Sequence, residues 1–136
     1  MDFFKTMSIA ASGLRAQAGR MRVISENIAN ADSVPERAGA DPYRRKIPTF
    51  RTTLNRELNA ETVSLGPVQP DQSAFRLKYE PGHPAADQNG NVKYPNVNAL
   101  VEMTDMREAQ RSYEANINVI GATRRMISRT LEILKA

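Results

Sequence analysis

All eight prolines of this 136-residue chain fall between Pro35 and Pro95, and neither end carries one. Proline removes a backbone donor and its ring clashes with the preceding turn, so a helix interior excludes it. The chain therefore divides into a proline-free first arm, residues 1–31, a middle of residues 32–97, and a proline-free last arm, residues 98–136. Both arms have helical periodicity. In the first, positions 4, 7, 11, 14, 18, 21, 25 and 28 read Phe, Met, Ala, Leu, Ala, Met, Ser, Ile, a heptad alternation broken only at Ser25. In the last, Met103, Met106, Tyr113, Ile117, Ile120, Ile127, Leu131 and Leu134 hold the same spacing, broken at Gln110 and Arg124. Val119, Met126 and Ile133 add a second line at sevenfold spacing, so the apolar face is wider than a two-stranded seam and calls for more than one neighbour.

The expected fold is mainly α. Long N- and C-terminal helices pair as one coiled-coil-like domain, with a small irregular and β-hairpin insert between them. At 1.5 Å per residue the arms span about 40 Å and about 55 Å. The first helix is marginal alone, because Gly13 and Gly19 each cost up to about 1 kcal/mol relative to alanine. Asn96 or Asn98 can cap the last helix, with Glu102 and Asp105 near its positive end. In the middle, "ETVSL" (61–65) and "FRLKY" (75–79) alternate as strands, and Asn89-Gly90 signals a tight turn through positive φ. A hairpin is expected around residues 75–95, with 32–48 as an extended loop.

The stretch "ISENIANADS" (24–33) sets two amides, Asn27 and Asn30, around Ile28. Asn30 reads as a helix end through left-handed backbone, and Asp32-Ser33 before Pro35 allow little continuation. Asn27 lies a turn inside, where an amide beside an apolar seam fixes register against a neighbouring helix.

Composition excludes several function classes. There is no cysteine, hence no disulfide, thiolate metal site or Cys nucleophile. The net charge of +4 raises the question of nucleic acid, but the surplus spreads as +2, +1 and +1 over the three segments. Arg44-Arg45-Lys46 is the only three-residue cationic run, so no nucleic-acid partner is expected. No apolar run approaches the roughly 18 residues of a membrane span, so no direct membrane insertion is expected. "MDFFKTMSIAASGL" lacks the basic and apolar regions of a cleaved secretory signal.

No catalytic, metal or cofactor site assembles. Asp87, Asn89 and Asn91 occupy positions one, three and five of a calcium loop, but positions six and twelve are Val92 and Asn98 rather than Gly and Glu. His83 is the only histidine, and a loop role suits it better than ligation or base catalysis. Nucleotide-binding and hydrolase motifs are absent from the sequence. The expectation is no enzyme and no cofactor.

Two longer stretches carry a resemblance. "SGLRAQAGRMRVISENIANADS" is similar to the N-terminal signature of bacterial flagellar axial rod and hook proteins, and "YPNVNALVEMTDMREAQRSYEAN" to their C-terminal counterpart. "PYRRK" (42–46) and "YEPGHPAADQNGNVKYPNVN" (79–98) resemble the proximal rod branch of that family, and the short middle agrees. Nothing is carried over onto residues 33–41.

The resemblance implies a structural subunit of the periplasm-spanning rod of the flagellar basal body. Its terminal helices would line a hollow drive shaft that transmits torque and passes exported axial proteins. The implied partners are other copies of the chain, other rod proteins, inner-membrane ring or adaptor components, and the type III export apparatus, which the chain leaves without a cleaved signal. The candidate subunit and helix interface comprises Leu14, Met21, Ile24, Asn27, Ile28, Asn30, Met103, Met106, Tyr113, Ile117, Ile120, Ile127, Leu131 and Leu134.

Overall fold

The computed structural model describes residues 2–135. Its elements are α1 (Phe3–Ala29), β1 (Lys46–Ile47), β2 (Phe50–Asn55), β3 (Ala60–Leu65), β4 (Gln69–Pro70), β5 (Arg76–Tyr79), β6 (Asn91–Tyr94) and α2 (Ala99–Lys135). The two long helices and the small β insert are those the proline pattern predicts. Asp2 opens α1, its carboxylate accepting from Lys5 N at 3.0 Å. Asn98 opens α2, its Oδ1 accepting from Leu100 N at 3.1 Å.

The strands form three separate antiparallel pairs, β1–β4, β2–β3 and β5–β6. The β5–β6 hairpin, with Arg76 opposite Tyr94, is the one expected around 75–95. Its turn differs in detail, since Gly90 has φ +79 while Asn89 does not reach positive φ. The β2 strand and the short β1–β4 pair were not expected, and β1 falls within the segment read as an extended loop. Asn30 also differs from its reading. Its φ is not positive. The helix ends instead by tightening, with Ala31 N bonding Ile28 O and Ser33 N bonding Asn30 O, while Asn30 Nδ2 donates back to Glu26 O at 2.8 Å.

The chain forms two compact units. Unit 1 comprises Met1–Met21, Thr49–Pro67 and Arg107–Ala136; unit 2 comprises Arg22–Pro48 and Val68–Met106. In unit 1 the helices run antiparallel. A Cβ on Gly13 would lie 2.9 Å from the Asn116 side-chain oxygen, and Arg20 pairs with Glu108 at 3.5 Å. The hairpin β2–β3 lies on α1. Val63 N donates to Ser12 Oγ at 3.2 Å, and Leu65 occupies the space where Gly19 would carry a Cβ. Both helix glycines thus buy close approach, which offsets their poor propensity.

The seam itself needs correcting. Along α2 in unit 1 the buried or half-buried positions include Ala109, Tyr113, Asn116, Ile120, Thr123 and Ile127, with Ser112, Gly121 and Ala122 half-buried beside them. The four-three spacing holds, but alternate positions sit one residue earlier than Gln110, Ile117 and Arg124, which are exposed, and beyond Ile127 no position through Lys135 is buried, Leu131 and Leu134 included. The interruptions at Gln110 and Arg124 marked that displacement. On α1 the most buried residues are Ala10, Ser12, Ala16, Val23, Ile24 and Asn27, whereas Phe4, Ala18 and Ser25 are exposed.

Energetics separate the two units. Among the described residues, those fully buried in unit 1 are Ala10, Ser12, Ala16, Ala60, Ala109 and Thr123, none larger than threonine. A buried methyl contributes about 0.8 kcal/mol, against a backbone ordering cost of about 1–2 kcal/mol per residue. Unit 2 buries Val23, Ile24, Val92 and Val97, each worth about 1.5–3 kcal/mol. Unit 1 of the isolated chain is accordingly the weaker. In hydrogen–deuterium exchange on the free protein, amides at 10–18 should exchange roughly tenfold or more faster than those at 23–28. Equal protection of the two stretches would contradict this ordering.

Candidate functional site

Unit 2 is organised around a buried amide and a buried carboxylate. Asn27 has 0% exposure on the last turns of α1, and Glu102 has 1% in the first turn of α2. Asn27 Oδ1 accepts from Lys46 N at 2.9 Å and Tyr43 Oη at 2.8 Å. Its Nδ2 donates to Lys46 O at 2.8 Å and Glu102 Oε2 at 3.1 Å. All four hydrogen-bonding positions of the amide are used. The other Glu102 oxygen, Oε1, receives Arg45 Nε. The same guanidinium lies 3.4 Å from Asp71 and 3.9 Å from Asp105. Arg45 N donates to Asn96 Oδ1 at 2.8 Å, and Asn96 Nδ2 donates to Asp71 O at 3.0 Å.

The node therefore gathers α1, the segment 43–46, the turn after β4 and the start of α2. Burying a carboxylate this deep is costly unless its oxygens are partnered, and both oxygens of Glu102 are. Around the node, Lys46 pairs with Glu26, and Arg44 stacks 4.2 Å from the Phe75 ring centre. Burial, followed by the nearby carboxylates of Glu26 and Glu102, pushes the Tyr43 phenol up to about 12.

The amide read as a register device between neighbours makes its observed bonds inside its own chain. The periodicity did not reveal its partners. Glu102 is polar and sits one place before the apolar Met103, while Arg45, Lys46 and Tyr43 belong to "PYRRK", which has no helical period to read. His83 Nδ1 accepts from Ala85 N at 3.0 Å, and Asp87 Oδ1 accepts from Asn89 N and Asn91 N. These side chains serve their own turns. Among the described residues no cluster of three metal-ligating side chains forms.

The remaining candidate interface residues fall into two groups. Ile24 is buried, and Leu14, Met21, Ile28, Met106, Tyr113, Ile120 and Ile127 are half-buried. Met103, Ile117, Leu131 and Leu134 are exposed, Leu134 at 77%. In unit 1, Val119, Met126 and Ile133 form a further exposed row at sevenfold spacing, Ile133 at 76%. Since Gly13 meets Asn116 and Arg20 meets Glu108, the start of α1 is level with about residue 126 of α2. The last nine or so residues, roughly 13 Å of helix, extend beyond it. Apolar rows of this extent are more than the scattered surface residues a monomer ordinarily exposes.

Known proteins match both helical regions. Residues 7–35 match the family model described as "Flagella basal body rod protein". Residues 88–133 match "Flagellar basal body rod FlgEFG protein C-terminal". The chain is 52% identical to the flagellar basal-body rod protein FlgC of Agrobacterium fabrum, over 94% of this chain and 92% of that one. The chain belongs to the flagellar basal-body rod protein family.

Proteins of the same name from Salmonella typhimurium, 40% identical over 98% of each chain, and Aquifex aeolicus, 37% identical over 99% of each, agree. Family membership makes this chain a structural rod subunit of the basal body, assembling with other rod proteins. No described helix is long and apolar enough to cross a membrane. Asn27 lies in the first matched region and Glu102 in the second, while Arg45 and Asp71 fall between the two models.

Two outcomes are expected of the node. Asn27→Ala strands Glu102 Oε2, the Tyr43 hydroxyl and both backbone groups of Lys46, and should lower stability by about 2–4 kcal/mol in urea titration. A change within about 0.5 kcal/mol would show that water replaces the amide. For Tyr43, the unfolded phenol ionises near 10 and the folded one at about 12. Between those pH values the folded state keeps a proton that the unfolded state has lost, so stability is full below pH 10 and falls as pH rises through 12. Tyr43→Phe should lose less stability than the parent between pH 9 and 12, measured by urea midpoints at each pH.

Proposed function

We propose that this rod subunit polymerises through its terminal helices, neighbouring subunits covering the apolar residues that α2 leaves exposed. The carrying observation is the uncovered surface of α2 in unit 1, where Ile117, Leu131 and Leu134 on one side and Val119, Met126 and Ile133 on the other are open to solvent. Burying such side chains is favourable by about 1.5–3 kcal/mol each, and a seam of alanine, serine and threonine leaves unit 1 in need of that contribution. The half-buried Leu14, Met21, Ile28, Met106, Tyr113, Ile120 and Ile127 support the helices behind this surface, with Ile24, Asn27 and Asn30 fixing the end of α1. Met103 is the corresponding exposed position in unit 2.

On this reading the protein works by torque transmission and without catalysis. Its helices form part of a hollow shaft through which axial proteins are exported, and its neighbours are further copies, other rod proteins and ring or adaptor components at the shaft base. It reaches that place through the type III export apparatus without a cleaved signal. A chain without cysteine and with a weak unit 1 suits passage in an unfolded state.

Leu131→Asp separates assembly from folding, because Leu131 is 54% exposed in the single chain. The purified variant should keep its urea stability within about 0.5 kcal/mol while the cells lose rod, hook and motility. Normal motility would remove the α2 surface from the interface. The broader reading is checked by mass spectrometry of purified hook–basal bodies, which should contain the chain, and by a deletion strain, which should lack rod and hook.

A further inference from the structure

One groove of unit 2 is cationic. Arg22, Val23, Tyr43, Arg44, Lys46 and Val68 line an open cleft of about 610 Å³. Glu26 also lies there, but it is engaged with Lys46. Arg22 has no acidic partner among the described residues. Arg44 donates to the carbonyls of Asp71 and Ser73 and stacks on Phe75, contacts that leave its charge uncompensated. Beside these charges Val68 is 40% exposed, so the cleft offers an apolar contact between cations.

The complementary surface is the tip of the β2–β3 hairpin in unit 1. Glu57 and Glu61 are exposed there, next to a likewise exposed Arg56 that pairs with neither, and Leu54 beside them is 56% exposed. The tip is held in shape. Asn55 Oδ1 accepts from Glu57 N at 3.0 Å and Leu58 N at 3.3 Å, and Asn59 takes the left-handed conformation with φ 45. A turn fixed in advance loses little freedom on docking.

We infer that the β2–β3 tip of one copy seats in the cationic groove of a second copy, Glu57 and Glu61 meeting Arg22 and Arg44 while Leu54 packs on Val68. The contact is heterologous, tip to groove, so each copy offers one tip and one groove and the contact can repeat from copy to copy. Paired charges at such a rim select partner and register more than they supply affinity. The inference rests on the polymerising reading above and adds to it a specific neighbour for two surfaces outside the exposed rows of α2.

The absence of native cysteine allows a direct test. In hook–basal bodies from cells carrying Glu57→Cys with Val68→Cys, a short thiol-to-thiol crosslinker should produce multimers of this chain, and neither single variant should. If the chain is present but forms no multimer, or if Val68→Cys links to a different rod protein, the inference is overturned while the polymerising reading stands. If parental basal bodies lack the chain, that reading falls and the inference falls with it. Charge exchange gives a second measurement that needs no crosslink. Arg22→Glu should reduce swarming about fivefold or more, and adding Glu57→Arg should restore most of it, since each interface then regains an opposite pair. A double variant no better than Arg22→Glu alone would overturn the inference.

Discussion

The pairing of Glu102 with Arg45 is the constraint on which unit 2 depends. A carboxylate with 1% exposure has given up its water and depends on protein partners instead. Those partners come from α1, through Asn27, and from the segment 43–46, through Arg45. Satisfying one acid thus fixes the end of the first helix, the path of the chain beyond it and the start of the second helix. Arg45 also faces Asp71 and Asp105, so one guanidinium serves three carboxylates. Losing that cation would expose the acids to one another as well as to burial, whereas losing Asp105 alone would remove only the most distant of the three.

Unit 1 rests on a different principle. Its seam is close because its residues are small. Gly13 admits Asn116, Gly19 admits Leu65, and the fully buried positions are alanine, serine and threonine. Close approach through small residues gives well-defined geometry but little buried apolar area. Tyr113, Ile120 and Ile127 are half-buried in the seam, while other large apolar residues of α2 lie outside it, where Leu131, Ile133 and Leu134 face solvent. For a subunit of an assembly this division is economical, because the intramolecular contact sets shape and the outer surface is left for neighbours.

This division explains what the sequence disclosed and what it hid. Proline placement located both helices, alternation located β3 and β5, and the Asn89-Gly90 turn signal located the hairpin that β6 completes, since each feature is local. The helix seam was legible in spacing and displaced in phase, because a hydrophobic pattern ranks Ile117 and Leu131 above Ala109, Asn116 and Thr123. In unit 1 the apolar pattern follows the exposed surface as much as the intramolecular one. The β2 strand, with nearly every residue exposed, has no inward face to advertise. The polar node was hidden more deeply, because Asn27, Arg45, Asp71 and Glu102 become neighbours only through the fold. The one local clue was an amide placed a turn before the end of α1.

The span of that node has a kinetic consequence. Asn27 and Glu102 are separated by 75 residues, and Arg45 and Glu102 by 57. Contacts this distant in sequence must overcome loop-closure entropy before they return any stabilisation, which places them among the slow steps of folding. A growing or partly emerged chain that ends before residue 102 has no buried acid to neutralise and no means of anchoring the segment 43–46 from both sides. The node of unit 2 is therefore completed only when three-quarters of the sequence is available.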